Sequence, residues 1–173
     1  MIRDGWHRDF DATLLYVVRD GEILLIHKKR GIGAGKLNGA GGKVDPGESC
    51  LDAAVREFEE ELLARPLAPR KLGEVAFDVV DGVSILIHVF RADALEGEPS
   101  ETDEAVPVWA PVDDIPYDRM WADDRYWLPH LLENRPFEAF ARFEGDRLLD
   151  CEVRRLPREA SERGEEADGD EAP

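Results

Sequence analysis

Cysteine, methionine and lysine are scarce in this chain, and it has no long apolar run. Cys50 and Cys151 are the only two cysteines in 173 residues and stand far apart. That argues against a disulfide or cysteine-metal framework and for thiols kept in a reducing compartment. Lysine numbers five against seventeen arginines, and 39 acids outnumber 22 bases, for a formal charge of −17. Such a surface is unsuited to duplex nucleic acid, which is bound by basic patches that displace counterions. No stretch has transmembrane length and no charged-then-apolar leader opens the chain, so a cytoplasmic protein without a membrane partner is expected. His7, His27, His88 and His130 form no metal-ligand spacing. His88 alternates with apolar neighbours in ILIHVF and reads as a strand histidine with satisfied partners. Gly31, Gly33 and Gly35 lack the lysine and following helix of a phosphate loop and read as turn glycines.

What is present suffices for one domain of ordinary size, over residues 1–157. The last stretch, 158–173, holds seven acids, two arginines and no large apolar residue, and is expected to be a disordered acidic tail. Extended runs at 13–18 and 22–27 flank Asp20-Gly21, and runs at 71–80 and 83–91 flank Asp81-Gly82, so two hairpins are predicted. Residues 106–112 read as a further strand, and 137–143 with 147–153 as a closing hairpin. Asp123 or Asp124 is a candidate cap for a helix with the stripe Trp127, Leu128, Leu131 and Leu132. Strands before one helix and after it, with a second helix late, favour an α+β fold with a mixed sheet between helices.

The segment GKVDPGESCLDAAVREFEEE, residues 42–61, carries the chemistry. Asp45-Pro46-Gly47 is a turn, and Ser49 is a plausible N-cap of the helix that follows. Leu51, Ala54, Val55, Phe58 and Leu62 form one apolar stripe at 100° per residue. Glu57, Glu60 and Glu61 are related by three and four residues, so their carboxylates share the adjoining face. Like charges so placed repel one another, unless a hard divalent cation that favours oxygen ligands offsets them. A solvated acidic helix face is the alternative on the glutamates alone.

Gly42, Glu48, Arg56-Glu57 and Glu60-Glu61 have the spacing of the Nudix box, and the chain resembles the Nudix hydrolases. Leu63 and Ala64 depart from its Gly and bulky apolar positions, and without that glycine the helix is expected to run on to about Ala64. The stretches 28–44 (KKRGIGAGKLNGAGGKV), 101–109, 119–132 (RMWADDRYWLPHLL) and 140–150 extend the likeness to the MutT-homologue branch, which hydrolyses oxidised purine nucleoside triphosphates.

That resemblance implies a Nudix fold, a mixed β-sheet between helices, and release of pyrophosphate and a monophosphate from a substrate such as 8-oxo-dGTP or 2-hydroxy-dATP. It implies Mg²⁺ (Mn²⁺ as substitute) on the catalytic glutamates Glu57, Glu60 and Glu61, with the Gly41 carbonyl and Glu104. It implies a base pocket in which Asn38, Asp123 and Asp124 hydrogen-bond the purine, Trp121 stacks on it, and Thr13, Phe77 and Trp127 form walls. Lys28 matches a position near the phosphates or the pocket. Arg56 is expected to pair with Glu48 or a box glutamate. Ile32, Leu37, Ala40 and Val79 replace aromatics of the branch, which puts substrate breadth in question. Two adjacent carboxyls can share a proton and so present donor and acceptor together; the alternative for Asp123-Asp124 is an acidic helix N-terminus, and for Trp127 ordinary core. A monomer is expected. A Nudix pyrophosphatase for another diphosphate, and a non-catalytic nucleotide-binding module, are the competing functions.

Overall fold

Alternating burial along the first strand sets the layers. β1 (Phe10–Arg19) turns at Asp20-Gly21 into β2 (Glu22–Lys28). In the computed structural model, which describes residues 3–158, Leu15, Tyr16 and Val17 of β1 are all fully buried. A strand buried on both faces has a layer on each side. Leu15 and Val17 pack with Ala54, Phe58 and Leu62 of helix α1 (Cys50–Leu62). Tyr16 points the other way, to Trp127, Leu128 and Leu131 of helix α2 (Asp124–Leu132).

The remaining strands are β3 (Leu37–Asn38), β4 (Arg65–Leu67), β5 (Arg70–Val79), β6 (Ser84–Ala92), β7 (Ala94–Glu96), β8 (Ala105–Pro111), β9 (Phe137–Glu144) and β10 (Arg147–Arg155). Seven run in the order β10-β9-β5-β6-β1-β2-β3, β8 pairs with β2, and β4 and β7 form a separate pair. β1 lies parallel to β6 and β5 parallel to β9, while the other pairs are antiparallel. The expected mixed sheet between helices is therefore present, with its three hairpins. The acidic stretch expected to be a tail lies, from residue 159 on, outside the described residues. Among the described residues no helix is long and apolar enough to cross a membrane. Cys50 and Cys151 are free thiols.

Three expectations about the helices are corrected. Leu51 does not belong to the buried stripe of α1; it is 43% exposed, and Ala53 is buried instead. The helix ends before Leu63, which takes the left-handed conformation (φ 55°, ψ 31°) that a glycine would adopt there and donates its N–H to the Glu59 carbonyl. α1 therefore does not run on to Ala64, whose backbone already turns toward β4. In α2, Asp123 occupies the capping position but its side chain makes no capping bond, because it is buried and engaged elsewhere. Ser49, by contrast, caps α1 as expected, accepting from the Asp52 N–H at 3.0 Å.

Candidate active site

The face of the sheet that α2 covers continues beyond the helix as the floor of a cleft. The registers set Phe77, Ile85 and Phe10 in one cross-strand row and Val75, Ile87 and Ala12 in the next. All six line a cleft of about 300 Å³, walled by Asn38, Gly39 and residues 41–43 on one side and by Trp121, Asp123, Asp124 and Trp127 on the other. Thr13, Lys28 and Ile32 also line it. Every residue that the resemblance assigned to the base or phosphates is thus brought to one cavity.

Asp123 and Asp124 are 2% and 3% exposed, yet Asp123 Oδ1 and Asp124 Oδ2 have no hydrogen-bond partner. A buried orphan oxygen costs about 1–3 kcal/mol, so two side by side mark a place where something binds. The other oxygen of Asp123 accepts from Trp127 Nε1 at 2.9 Å. Burial raises both carboxyls above their ordinary range; the Trp127 bond opposes this at Asp123, and the Asp123 charge adds to it at Asp124. Both carboxyls are thereby biased toward the protonated form. Opposite them, Asn38 Oδ1 accepts from Gly39 N–H at 2.9 Å and Tyr16 O–H at 3.4 Å, leaving its amide N–H₂ as the donor offered to the cleft.

Trp121 is held by the edges of Phe77 and Phe143, each with its ring centre 5.1 Å away. Trp127 is both wall and core: it is 1% exposed and stacks on Phe137. Leu37 and Ala40 do not border the cleft. Both are buried in the hydrophobic core, on opposite sides of the sheet, so their loss of aromatic surface bears on packing. Ile32, 46% exposed, stands at the rim.

At its other end the cleft meets the glutamates of α1. Gly41 and Gly42 run between β1 and the helix with no room for side chains. A Cβ on Gly41 would lie 1.8 Å from the Thr13 carbonyl oxygen, and one on Gly42 would lie 2.5 Å from the Glu57 carboxyl carbon. This backbone both lines the cleft and packs against Glu57, and Gly41 N–H donates toward Glu61. Ligand oxygens of Glu57, Glu61 and Glu104 lie within 4.8 Å of one another, the cluster of this kind found among the described residues. Glu61 is 4% exposed with Oε2 unpartnered. Burial first, then the Glu57 and Glu104 charges, push its carboxyl up to about 8, against the pull of Lys28. Glu57 is also raised by burial. Glu60 lies outside the cluster, half exposed and 3.4 Å from Arg56.

Arg56 does what its type suggests. Its Nε and Nη2 donate to the two oxygens of Glu48 at 2.7 and 2.8 Å, and Nη1 donates to Glu57 at 2.9 Å. The guanidinium holds the Glu48 carboxyl down at about 2 and its own pKa is raised in turn. It fastens the loop before α1 to the helix and orients Glu57. His88, buried, has both ring nitrogens engaged, Nε2 with Asp11 at 2.9 Å and Nδ1 with Lys71 at 2.8 Å. Lys71 can only donate, so His88 is the tautomer protonated on Nε2.

Sequence reading missed the cleft floor. Phe10 stands between two aspartates, but Val75, Ile85 and Ile87 lie in runs with apolar neighbours such as Ala76 and Leu86, so period alone does not tell which strand face they occupy. Nothing local tells that β1 and β6 pair in parallel and put those faces side by side.

The NUDIX domain family matches residues 9–131. The chain is 45% identical over 138 residues to the oxidized purine nucleoside triphosphate hydrolase of Danio rerio, covering 79% of this chain and 88% of that protein. It is 38% identical over 146 residues to the protein of the same name from Mus musculus, covering 83% and 94%. A MutT protein structure from Bacillus halodurans superposes with a TM-score of 0.75 at 26% identity, over 83% of this chain and 97% of that one. With the match running from the first strand well into the second helix, the chain belongs to the NUDIX domain family.

Proposed function

We propose that this protein hydrolyses oxidised purine nucleoside triphosphates to the monophosphate and pyrophosphate, as a cytoplasmic monomer that keeps damaged nucleotides out of the precursor pool. The observation that carries the reading is the buried Asp123-Asp124 pair, two residues with unpartnered oxygens that line a cleft whose Gly41-Gly42 side adjoins a glutamate cluster. The names of the Danio rerio and Mus musculus relatives agree with it.

The cluster fits a divalent ion: its donors are all carboxylate oxygens, and Glu61 Oε2 is buried without a partner. Glu57, Glu61 and Glu104 would hold Mg²⁺ (or Mn²⁺), with the Gly41 carbonyl and Glu60 as further donors. The ion, when bound, offsets phosphate charge and lowers the pKa of its water. Arg56 keeps Glu57 in place for this. Lys28, beside the cluster, offsets phosphate charge from the protein side. A cluster carboxylate accepts the proton of the attacking water; the water oxygen bonds to phosphorus as the bond to the pyrophosphate leaving group breaks.

At the other end Trp121 offers a stacking face, and Thr13, Phe77 and Trp127 enclose the base. One protonated carboxyl of the Asp123-Asp124 pair donates to an oxo group while its ionised partner accepts from ring or amino N–H. Asn38 supplies a further donor. Moving the shared proton lets the same walls accept an oxidised guanine or an oxidised adenine.

The test is kcat/KM for 8-oxo-dGTP, 2-hydroxy-dATP and dTTP in the wild type, Asp123→Asn and Asp124→Asn. A buried mismatched group costs about 1–3 kcal/mol, so oxidised purines should lose ~5- to 150-fold and dTTP far less. The two substitutions should shift the balance between the oxidised purines by different amounts. Equal, small losses on all three nucleotides would leave a general Nudix pyrophosphatase.

A further inference from the structure

Lys36 is part of no role assigned so far, yet it lies against Trp121 of the cleft wall. It closes the turn 31–36 between β2 and β3, where its carbonyl accepts from Lys28 N–H at 3.1 Å and its N–H donates to Gly33 at 2.9 Å. The backbone is thus pinned. Its ammonium lies 5.1 Å from the centre of the Trp121 ring and 3.6 Å from Asp146 Oδ2, in the turn between β9 and β10. Gly33 of the same turn packs so close that a Cβ there would sit 2.8 Å from Trp121 Nε1. Neither Lys36 nor Gly33 borders the cleft, whereas Trp121 does. These two residues of the turn therefore pack on the indole without themselves lining the cleft that the indole borders.

We propose that Lys36 is a positioning residue that sets base specificity: it backs Trp121 and ties the turn 31–36 to the β9–β10 turn at Asp146, holding the indole where a purine stacks on its inner face. This rests on the base-cleft reading above. Phe77 and Phe143 meet the indole edge-on, and neither of them is a charged group that holds its ring face. The ammonium is attracted to the ring face, and Asp146 keeps it from swinging into solvent. Lys36 is also the charge that opposes the upward drive of burial and Asp123 on the Asp124 carboxyl, so it acts on two residues of the wall that Trp121 belongs to. A phosphate-binding lysine would strengthen every nucleotide alike; a lysine acting through Trp121 favours those that stack.

Calorimetric titration without metal, with 8-oxo-dGMP and dTMP as probes, separates these roles in the wild type, Lys36→Met, Lys36→Arg and Asp146→Asn. From a partly exposed cation–π contact and a rim ion pair, Lys36→Met should weaken 8-oxo-dGMP binding ~3- to 10-fold and dTMP binding less than about 2-fold. Lys36→Arg should restore the wild-type value, and Asp146→Asn should lie between. In turnover of 8-oxo-dGTP, Lys36→Met should raise KM and leave kcat unchanged. Equal weakening of both monophosphates, an unchanged 8-oxo-dGMP affinity, or a fall in kcat at constant KM overturns the proposal alone. A wild type that binds both monophosphates equally overturns the base-cleft reading, and the proposal with it.

Discussion

Glu61 sits within two turns of Glu57 on one helix, but the core closes over it and leaves Glu57 at the surface of the cluster. On the reading proposed above, a cation neutralises Glu61. Glu61→Gln keeps the shape and removes the charge; kcat at saturating Mg²⁺ should fall at least ~100-fold, a barrier rise of about 2.7 kcal/mol. Unchanged turnover in both Glu61→Gln and Glu57→Gln would remove the cluster from the chemistry. The same substitution has a second signature without metal. The folded carboxyl titrates at about 8 against an ordinary 4.5. Below 4.5 both folded and unfolded states are protonated; above it the unfolded state ionises while the folded state holds its proton. Stability therefore declines as pH rises from about 4.5 to 8. In EDTA, the melting temperature of the wild type should fall across that window more steeply than that of Glu61→Gln, by scanning calorimetry at pH 5 and pH 8.

At the scale of the element, α1 shows how far spacing is readable. Ser49, the Glu48–Arg56 pairing and the placing of Ala54, Phe58 and Leu62 all follow from residue type and helical period. Leu51 leaves the stripe at 43% exposed although Cys50 and Ala53 of the same turn pack on the core, so period alone does not fix which side chain of that turn is covered. Leu63 shows the opposite case: a residue poorly suited to the left-handed region is held there because the chain must turn at once toward β4. Leu63→Gly removes a conformational cost of about 1–2 kcal/mol, and the freer unfolded chain takes back about 0.4–1 kcal/mol. A net gain of about 0–1.6 kcal/mol should raise the melting temperature by up to about 6 °C, with kcat/KM unchanged. A lower melting temperature would mean that the exposed Leu63 side chain holds a contact worth more than the strain.

For the whole molecule, the −17 charge is the dominant field. Like charges repel across the folded body, and salt shortens their reach from about 10 Å at 0.1 M to about 3 Å at 1 M. Raising NaCl from 0.1 to 1 M should therefore raise the melting temperature of the metal-free protein. A fall would show that the ion pairs, such as Arg56 with Glu48, outweigh the repulsion.

The amino-acid order by itself carried the Nudix-box spacing of Gly42, Glu48, Arg56, Glu57 and Glu61, which depends only on a turn and a helical period, and the reaction class followed from that resemblance. It also determined the hairpins at Asp20-Gly21, Asp81-Gly82 and Gly145, where local turn chemistry suffices, and it pointed to the base wall through Asn38, Trp121, Asp123 and Asp124. Tertiary structure alone decided that Asp123 and Asp124 are buried with open oxygens instead of capping α2, because burial depends on the strands that Trp127 meets. It alone brought Glu104 from β8's approach to Glu57 and Glu61, left Glu60 outside, and turned Leu37 and Ala40 into core. These are contacts between residues dozens of positions apart, set by which strands pair and in which direction, and no local period encodes that choice.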